Sequence, residues 1–126
     1  MDKVVHFEIP AMNVERAQKF YSSVFDWKIT AMPEMKYTIV STGPTSDEGM
    51  PSEPGFINGG LMEKKDPLTS PIITISVADI QQAITEIKKA GGTLIKEPVK
   101  VADMGLSAYF KDPEGNLMGL WQNLSS

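Results

Sequence analysis

The stretch Val4-Val5-His6-Phe7-Glu8-Ile9 sets the chain's single histidine two residues from a carboxylate. On a β-strand, residues two apart share a face and stand roughly 7 Å apart, at about 3.3 Å per residue. A neutral imidazole that close to a carboxylate can act as a general base or hold a polar group of a bound molecule. His6 and Glu8 are therefore the candidate catalytic pair. The competing reading leaves both at a sheet rim or a subunit contact, facing solvent.

Composition narrows what such a pair can belong to. The chain has 126 residues, 41% hydrophobic and 22% charged, which is the balance of one compact globular domain over 1–126. A net charge of -4 works against nucleic-acid binding, which needs clustered cations to displace counterions. With no cysteine, disulfides, thiolate zinc sites and cysteine nucleophiles are excluded. MDKVVHFEIP runs straight into strand-like sequence with no apolar run of membrane length, so no signal peptide is expected. The expectation is a cytoplasmic protein with no membrane contact.

The elements that must position His6 and Glu8 come in a repeated order. The opening strand is followed by a helix capped by Asn13, whose apolar stripe is Val14, Ala17, Phe20, Tyr21 and Val24. Strands follow at 27–30, 37–40 and 56–62. The second half repeats this: a strand at 72–77, then a helix capped by Asp79, with Gln82 at the capping-box position and the stripe Ile80, Ala83, Ile84 and Ile87. Gly91-Gly92 stops that helix, and strands follow at 93–95, 107–110 and 116–121. Asp112-Pro113-Glu114-Gly115 is a tight turn by composition. Two irregular stretches remain, 43–55 as a lid or surface excursion and 98–105 as a second loop.

Both halves, about 1–64 and 70–126, thus read βαβββ, and the fold class is α+β built on an internal repeat. The caps Asn13 and Asp79 are 66 residues apart, and the same shift carries His6 onto Ile72. Gly60 in GGLM corresponds to Gly119 in MGLW. Glycine in mid-strand weakens the strand and usually marks a bulge or a close approach by another group.

Strand alternation divides the residues between two faces. Val5, Phe7, Ile9, Ile73, Ile75 and Val77 form the apolar set that the helices cover, so His6, Glu8, Thr74 and Ser76 line the opposite face. Asn58, Gly60 and Met62 share a face, as do Leu117, Gly119 and Trp121. If the sheet curls, the polar face becomes a cavity wall. The candidate substrate-binding residues there are Asn58, Gly60, Thr74, Gly119 and Trp121, the two glycines leaving room for a ligand or for the Trp121 ring.

VVHFEIPAMNVERAQKFYSSVFDW, SVADIQQAITEIKKAGGTLI and FKDPEGNLMGLWQ resemble the vicinal oxygen chelate superfamily: glyoxalase I, bleomycin-resistance proteins and extradiol dioxygenases. The likeness covers essentially the whole chain. It implies a glyoxalase-like fold, two βαβββ modules around a U-shaped cavity, often in a homodimer. It also implies that metal-dependent relatives hold a divalent ion at the positions of His6, Gly60, Ile72 and Gly119. Of these only His6 could ligate, whereas a catalytic divalent site generally keeps three protein ligands. The expectation is therefore no metal and no cofactor, in a glyoxalase-like branch that lacks most metal ligands.

Two classes of function follow. One is a metal-independent lyase or isomerase acting on a small organic molecule, with His6 and Glu8 handling protons. The other is a non-catalytic protein that sequesters a drug or metabolite, as bleomycin-resistance proteins do, by stacking and shape. An accessory domain ranks third, and a metal-dependent lactoylglutathione lyase or dioxygenase ranks below the metal-free readings.

Overall fold

A computed structural model describes residues 1–124 and their side chains apart from that of Met35; the last two residues of the second predicted half lie outside the described residues. The element order is β1 (Lys3–Ala11), α1 (Val14–Phe25), β2 (Lys28–Met32), β3 (Tyr37–Ser41), β4 (Asn58–Glu63), β5 (Ile72–Ser76), α2 (Ile80–Lys89), β6 (Thr93–Val101), β7 (Gly105–Lys111) and β8 (Leu117–Asn123), with one 3-10 turn at Pro33–Met35. This is the α+β, twice-βαβββ order read from the sequence. Among the described residues no helix is long and apolar enough to cross a membrane.

The chain divides into two compact units, His6–Pro71, and Met1–Val5 with the chain from Ile72 onward. In the first, β2 and β3 pair antiparallel, as do β3 and β4, and β4 runs parallel to β1. In the second, β6 and β7 pair antiparallel, as do β7 and β8, and β8 runs parallel to β5. The repeat extends to register: Glu8 lies opposite Gly60, and Thr74, which is Glu8 shifted by 66 residues, lies opposite Gly119.

Each helix begins as its sequence dictates. Asn13 accepts from the Arg16 amide at 3.0 Å, and Asp79 accepts from the amides of Gln81 and Gln82, both at 3.1 Å, which relieves unpaired donors of the first turn. Gln122 on β8 takes the Ile80 amide at 2.9 Å. The stripe of α2 then closes a core of Ile80, Ile84, Ala108, Phe110 and Leu120, flanked by Ile75 and Val77. Asp112 accepts from the amides of Glu114 and Asn116 and from the Asn116 side chain, while Gly115 takes φ +85°, so the expected turn forms.

The structure corrects several readings. Residues 98–101 belong to β6 and not to a loop; the pairing of β6 with β7 slips between Lys96 and Val99, and Pro98, which has no amide to donate, sits in that slip. Phe56 and Ile57 precede β4, and the Phe56 ring covers Gly43. On α1, Phe20 and Val24 stay about half exposed, at 53% and 56%; Tyr21 does the covering, stacked on Trp27 at 4.9 Å, with Trp27 against Phe7 at 5.7 Å. Ile73 and Val5, assigned to the covered face, are 48% and 38% exposed.

Candidate functional site

The chemistry-bearing residues of the His6–Pro71 unit meet on one face of its sheet. β1 presents His6 and Glu8, and its parallel pairing with β4 sets His6 opposite Asn58 and Glu8 opposite Gly60. β3 lies on the far side of β4, with Ile39 opposite Gly60, so Tyr37, two residues earlier, shares that face.

The ring of Tyr37 crosses over Gly60. A Cβ built on Gly60 would fall on the Cζ, Oη and Cε2 atoms of Tyr37. The missing side chain is what lets the phenol reach β1. There its oxygen lies 2.8 Å from His6 Nε2 and donates to Glu8 Oε2 at 3.0 Å. The His6 and Tyr37 rings are near parallel, 6.4 Å between centroids.

Burial shapes the electrostatics of the trio. Glu8 is buried at 8% exposure, and a buried carboxylate needs hydrogen-bond donors. Desolvation holds His6 below its ordinary pKa of 6.5, partly offset by the upward pull of the Glu8 charge. Near neutral pH the imidazole is therefore uncharged and available as a base.

The expected substrate-binding residues separate on inspection. Asn58 is buried, and its amide holds the preceding loop: its Oδ1 accepts from the Thr42 amide at 2.9 Å and its Nδ2 donates to Thr45 Oγ1 at 3.0 Å. The loop is thereby tied down, with a bridge between Thr45 and Pro51. In the other unit Thr74 and Gly119 are buried as neighbours; a Cβ at Gly119 would lie 2.7 Å from Thr74 Oγ1. Trp121 pairs with Ser76 and Ser107, and its ring lies where a Cβ of Gly105 would point. The expectation that both repeat glycines leave room for a ligand or for the Trp121 ring is thus corrected: a phenol fills the space at Gly60 and a threonine side chain the space at Gly119.

Beside Tyr37 a cleft of about 220 Å³ opens, with Met32, Lys36, Leu61, Met62 and Glu63 on its walls. That lies below the roughly 300–1,000 Å³ of drug-sized ligand sites, so the cleft suits a small group.

The positions where the resemblance implies a metal do not fit one. His6 Nε2 is engaged with Tyr37, Gly60 and Gly119 have no donor, and Ile72 is a fully buried hydrocarbon. Among the described residues no three His, Cys, Asp or Glu side chains gather in a way that could hold a metal ion.

Tyr37 is the member of the trio that strand alternation on β1 alone misses. The signal for it was Gly60, a mid-strand glycine that announces a close neighbour.

Comparison with known proteins agrees with this architecture. Residues 3–43 match the family described as bleomycin resistance protein-like N-terminal. A glyoxylase-like domain-containing protein of Didymella fabae is 32% identical over 114 residues, 86% of this chain and 84% of that protein. Among solved structures, a methylmalonyl-CoA epimerase in complex with methylmalonyl-CoA and NH4+ superimposes with a TM-score of 0.69 at 16% identity, over 99% of this chain and 96% of the other. A glyoxalase/bleomycin resistance protein/dioxygenase superfamily member from Vibrio splendidus 12B01 gives 0.61 at 18% identity, over 98% and 99%. By the identity and span of the Didymella fabae relative, and by the repeated βαβββ order with its matched register, the chain belongs to the glyoxalase-like proteins of the vicinal oxygen chelate superfamily.

Proposed function

We propose that the chain binds a small organic molecule and transfers a proton on it without a metal, in lyase or isomerase chemistry, with His6 as the base and Glu8 as its electrostatic partner. The observation that carries this reading is the phenol of Tyr37 within hydrogen-bond reach of both, 2.8 Å from His6 and 3.0 Å from Glu8. An uncharged imidazole beside a buried carboxylate has the properties a general base needs near neutral pH. Within the other unit Trp121 remains a proposed ligand contact of its own, as a partly exposed stacking surface. The working form we propose is a cytoplasmic homodimer, supported by the exposed apolar surface of Phe20, Val24 and Phe25 on α1.

The test is solvent exchange. Protein purified in chelator is incubated in D2O with methylmalonyl-CoA, chosen because a structural neighbour holds it, and with the 2-oxoacid pyruvate; deuterium uptake is read by mass spectrometry. The expected result is uptake into at least one probe by the parent protein and none by His6→Ala. Uptake unchanged in His6→Ala overturns the assignment. The second reading, sequestration without chemistry, is favoured by the match of residues 3–43 to the bleomycin-resistance family. Probe binding by calorimetry with no uptake would establish it.

A further inference from the structure

A phenol has one proton to give. The structure has Tyr37 donating it to Glu8 Oε2, and a hydroxyl whose proton is spent can only accept at its other contacts. The 2.8 Å contact with His6 Nε2 is then an N–H of the imidazole pointing at the phenol oxygen. In a neutral ring that places the lone pair on Nδ1.

We infer that Tyr37 is the positioning residue of this site: it fixes His6 as the Nε2–H tautomer, presents Nδ1 as the base, and relays the proton displaced from Nε2 to Glu8. The inference rests on the proton-transfer reading above and adds the route. A proton leaving the bound molecule joins Nδ1, and its bonding electron pair stays on that molecule. Nε2–H passes to the Tyr37 oxygen, and the phenolic proton passes to the Glu8 carboxylate. The imidazole ends neutral in its other tautomer, and one negative charge has moved from Glu8 to the bound molecule. The number of charges is unchanged, so no additional ion has to be created beside buried groups, where an uncompensated charge is costly.

The repeat shows that this arrangement belongs to one unit. Shifting by 66 residues replaces His6 with Ile72 and Glu8 with Thr74. Ile39 opposite Gly60 corresponds to Tyr109 opposite Gly119, so the residue two earlier, Tyr37, is replaced by Ser107. Both units keep the glycine; the His6–Pro71 unit alone sets an aromatic hydroxyl between a base and an acid.

The chain's single histidine allows a direct test by nitrogen NMR of the resting, uniformly 15N-labelled protein, with no ligand required. The expected spectrum has a protonated, pyrrole-type Nε2 and a pyridine-type Nδ1, with an Nε2–H proton protected from exchange. Tyr37→Phe keeps the ring over Gly60 and removes the oxygen, so the protection should vanish while the backbone amide spectrum stays folded. In the D2O assay with methylmalonyl-CoA and pyruvate, Tyr37→Phe should lose roughly 10²-fold or more in kcat with KM retained. An Nδ1–H tautomer in the parent protein overturns the relay, as does Tyr37→Phe exchanging probe protons at the parent rate. The expected ring spectrum with no uptake into either probe overturns the underlying proton-transfer reading instead.

Discussion

Replacing Gly60 by alanine sets one methyl group against the whole Tyr37 arrangement. The new Cβ would fall on the far end of the Tyr37 ring, where ordinary contact requires 3.4–4 Å. Restoring that contact means backing the ring off by about 1 Å or more, which carries the hydroxyl away from His6 and Glu8, now 2.8 and 3.0 Å distant. The displaced atoms are the far end of a flexible, partly exposed side chain, so the steric part is small, and the loss of a hydrogen bond to a buried carboxylate costs about 1.5–3 kcal/mol. We expect a loss of about 1.5–3 kcal/mol, a sizeable part of the ~5–15 kcal/mol that holds an ordinary domain together. Urea unfolding followed by circular dichroism reads this as a lower midpoint at unchanged slope. Tyr37→Ala removes the obstructing ring, so Gly60→Ala in that background should cost under about 1 kcal/mol. A Gly60→Ala protein as stable as its parent, or a cost undiminished by Tyr37→Ala, would refute the reasoning.

Stability should also respond to pH through His6. Burial holds its folded pKa below the ordinary 6.5, so as pH falls the unfolded chain takes up the proton first. Stability from this source is complete above about pH 6.5 and declines as pH drops from there through the folded value; urea midpoints at pH 7.5 and 5.5 should differ in the parent and converge in His6→Gln. Asn58→Ala, which removes both amide bonds to Thr42 and Thr45, should cost about 1–2 kcal/mol and make residues 43–55 the first site of proteolytic nicking. Asp79→Ala should cost about 1 kcal/mol through the lost helix cap, seen as a lower thermal midpoint. Asp112 is held below its ordinary carboxylate range by hydrogen bonds from Asn116, so its contribution is complete above the unfolded value near 3.8 and fades as pH falls through the folded one; Asp112→Ala should remove that acid dependence.

Much of the fold was legible because local chemistry and the repeat pointed the same way. The caps Asn13 and Asp79, the stripe of α2 and the turn at Asp112 act over a few residues, and each formed as its sequence directs. The match of GGLM with MGLW located the Gly60 and Gly119 positions before any register was known, and the pairing of Glu8 with Gly60 and of Thr74 with Gly119 agrees with it. Pro98 misled, because proline reads as loop by composition, and an irregular pairing that tolerates it is a property of the sheet.

The trio around His6 was legible only in part. His6 and Glu8 announce each other across two residues, whereas Tyr37 lies 31 and 29 residues from them. Its arrival depends on the β3–β4 and β4–β1 registers, which tertiary packing decides. Absence of a side chain at the two glycines says that something approaches closely but not what: the approaching group is neither a ligand nor the Trp121 ring but the phenol of Tyr37 at one and Thr74 at the other.

The central claim, that this glyoxalase-like chain works through side chains and not through a metal, is tested most directly by running the D2O exchange on one preparation twice, once dialysed against chelator and once supplemented with zinc or manganese. The account predicts equal uptake in the two samples, abolished in both by His6→Ala. Uptake that requires added metal, or that survives the loss of His6, would contradict it.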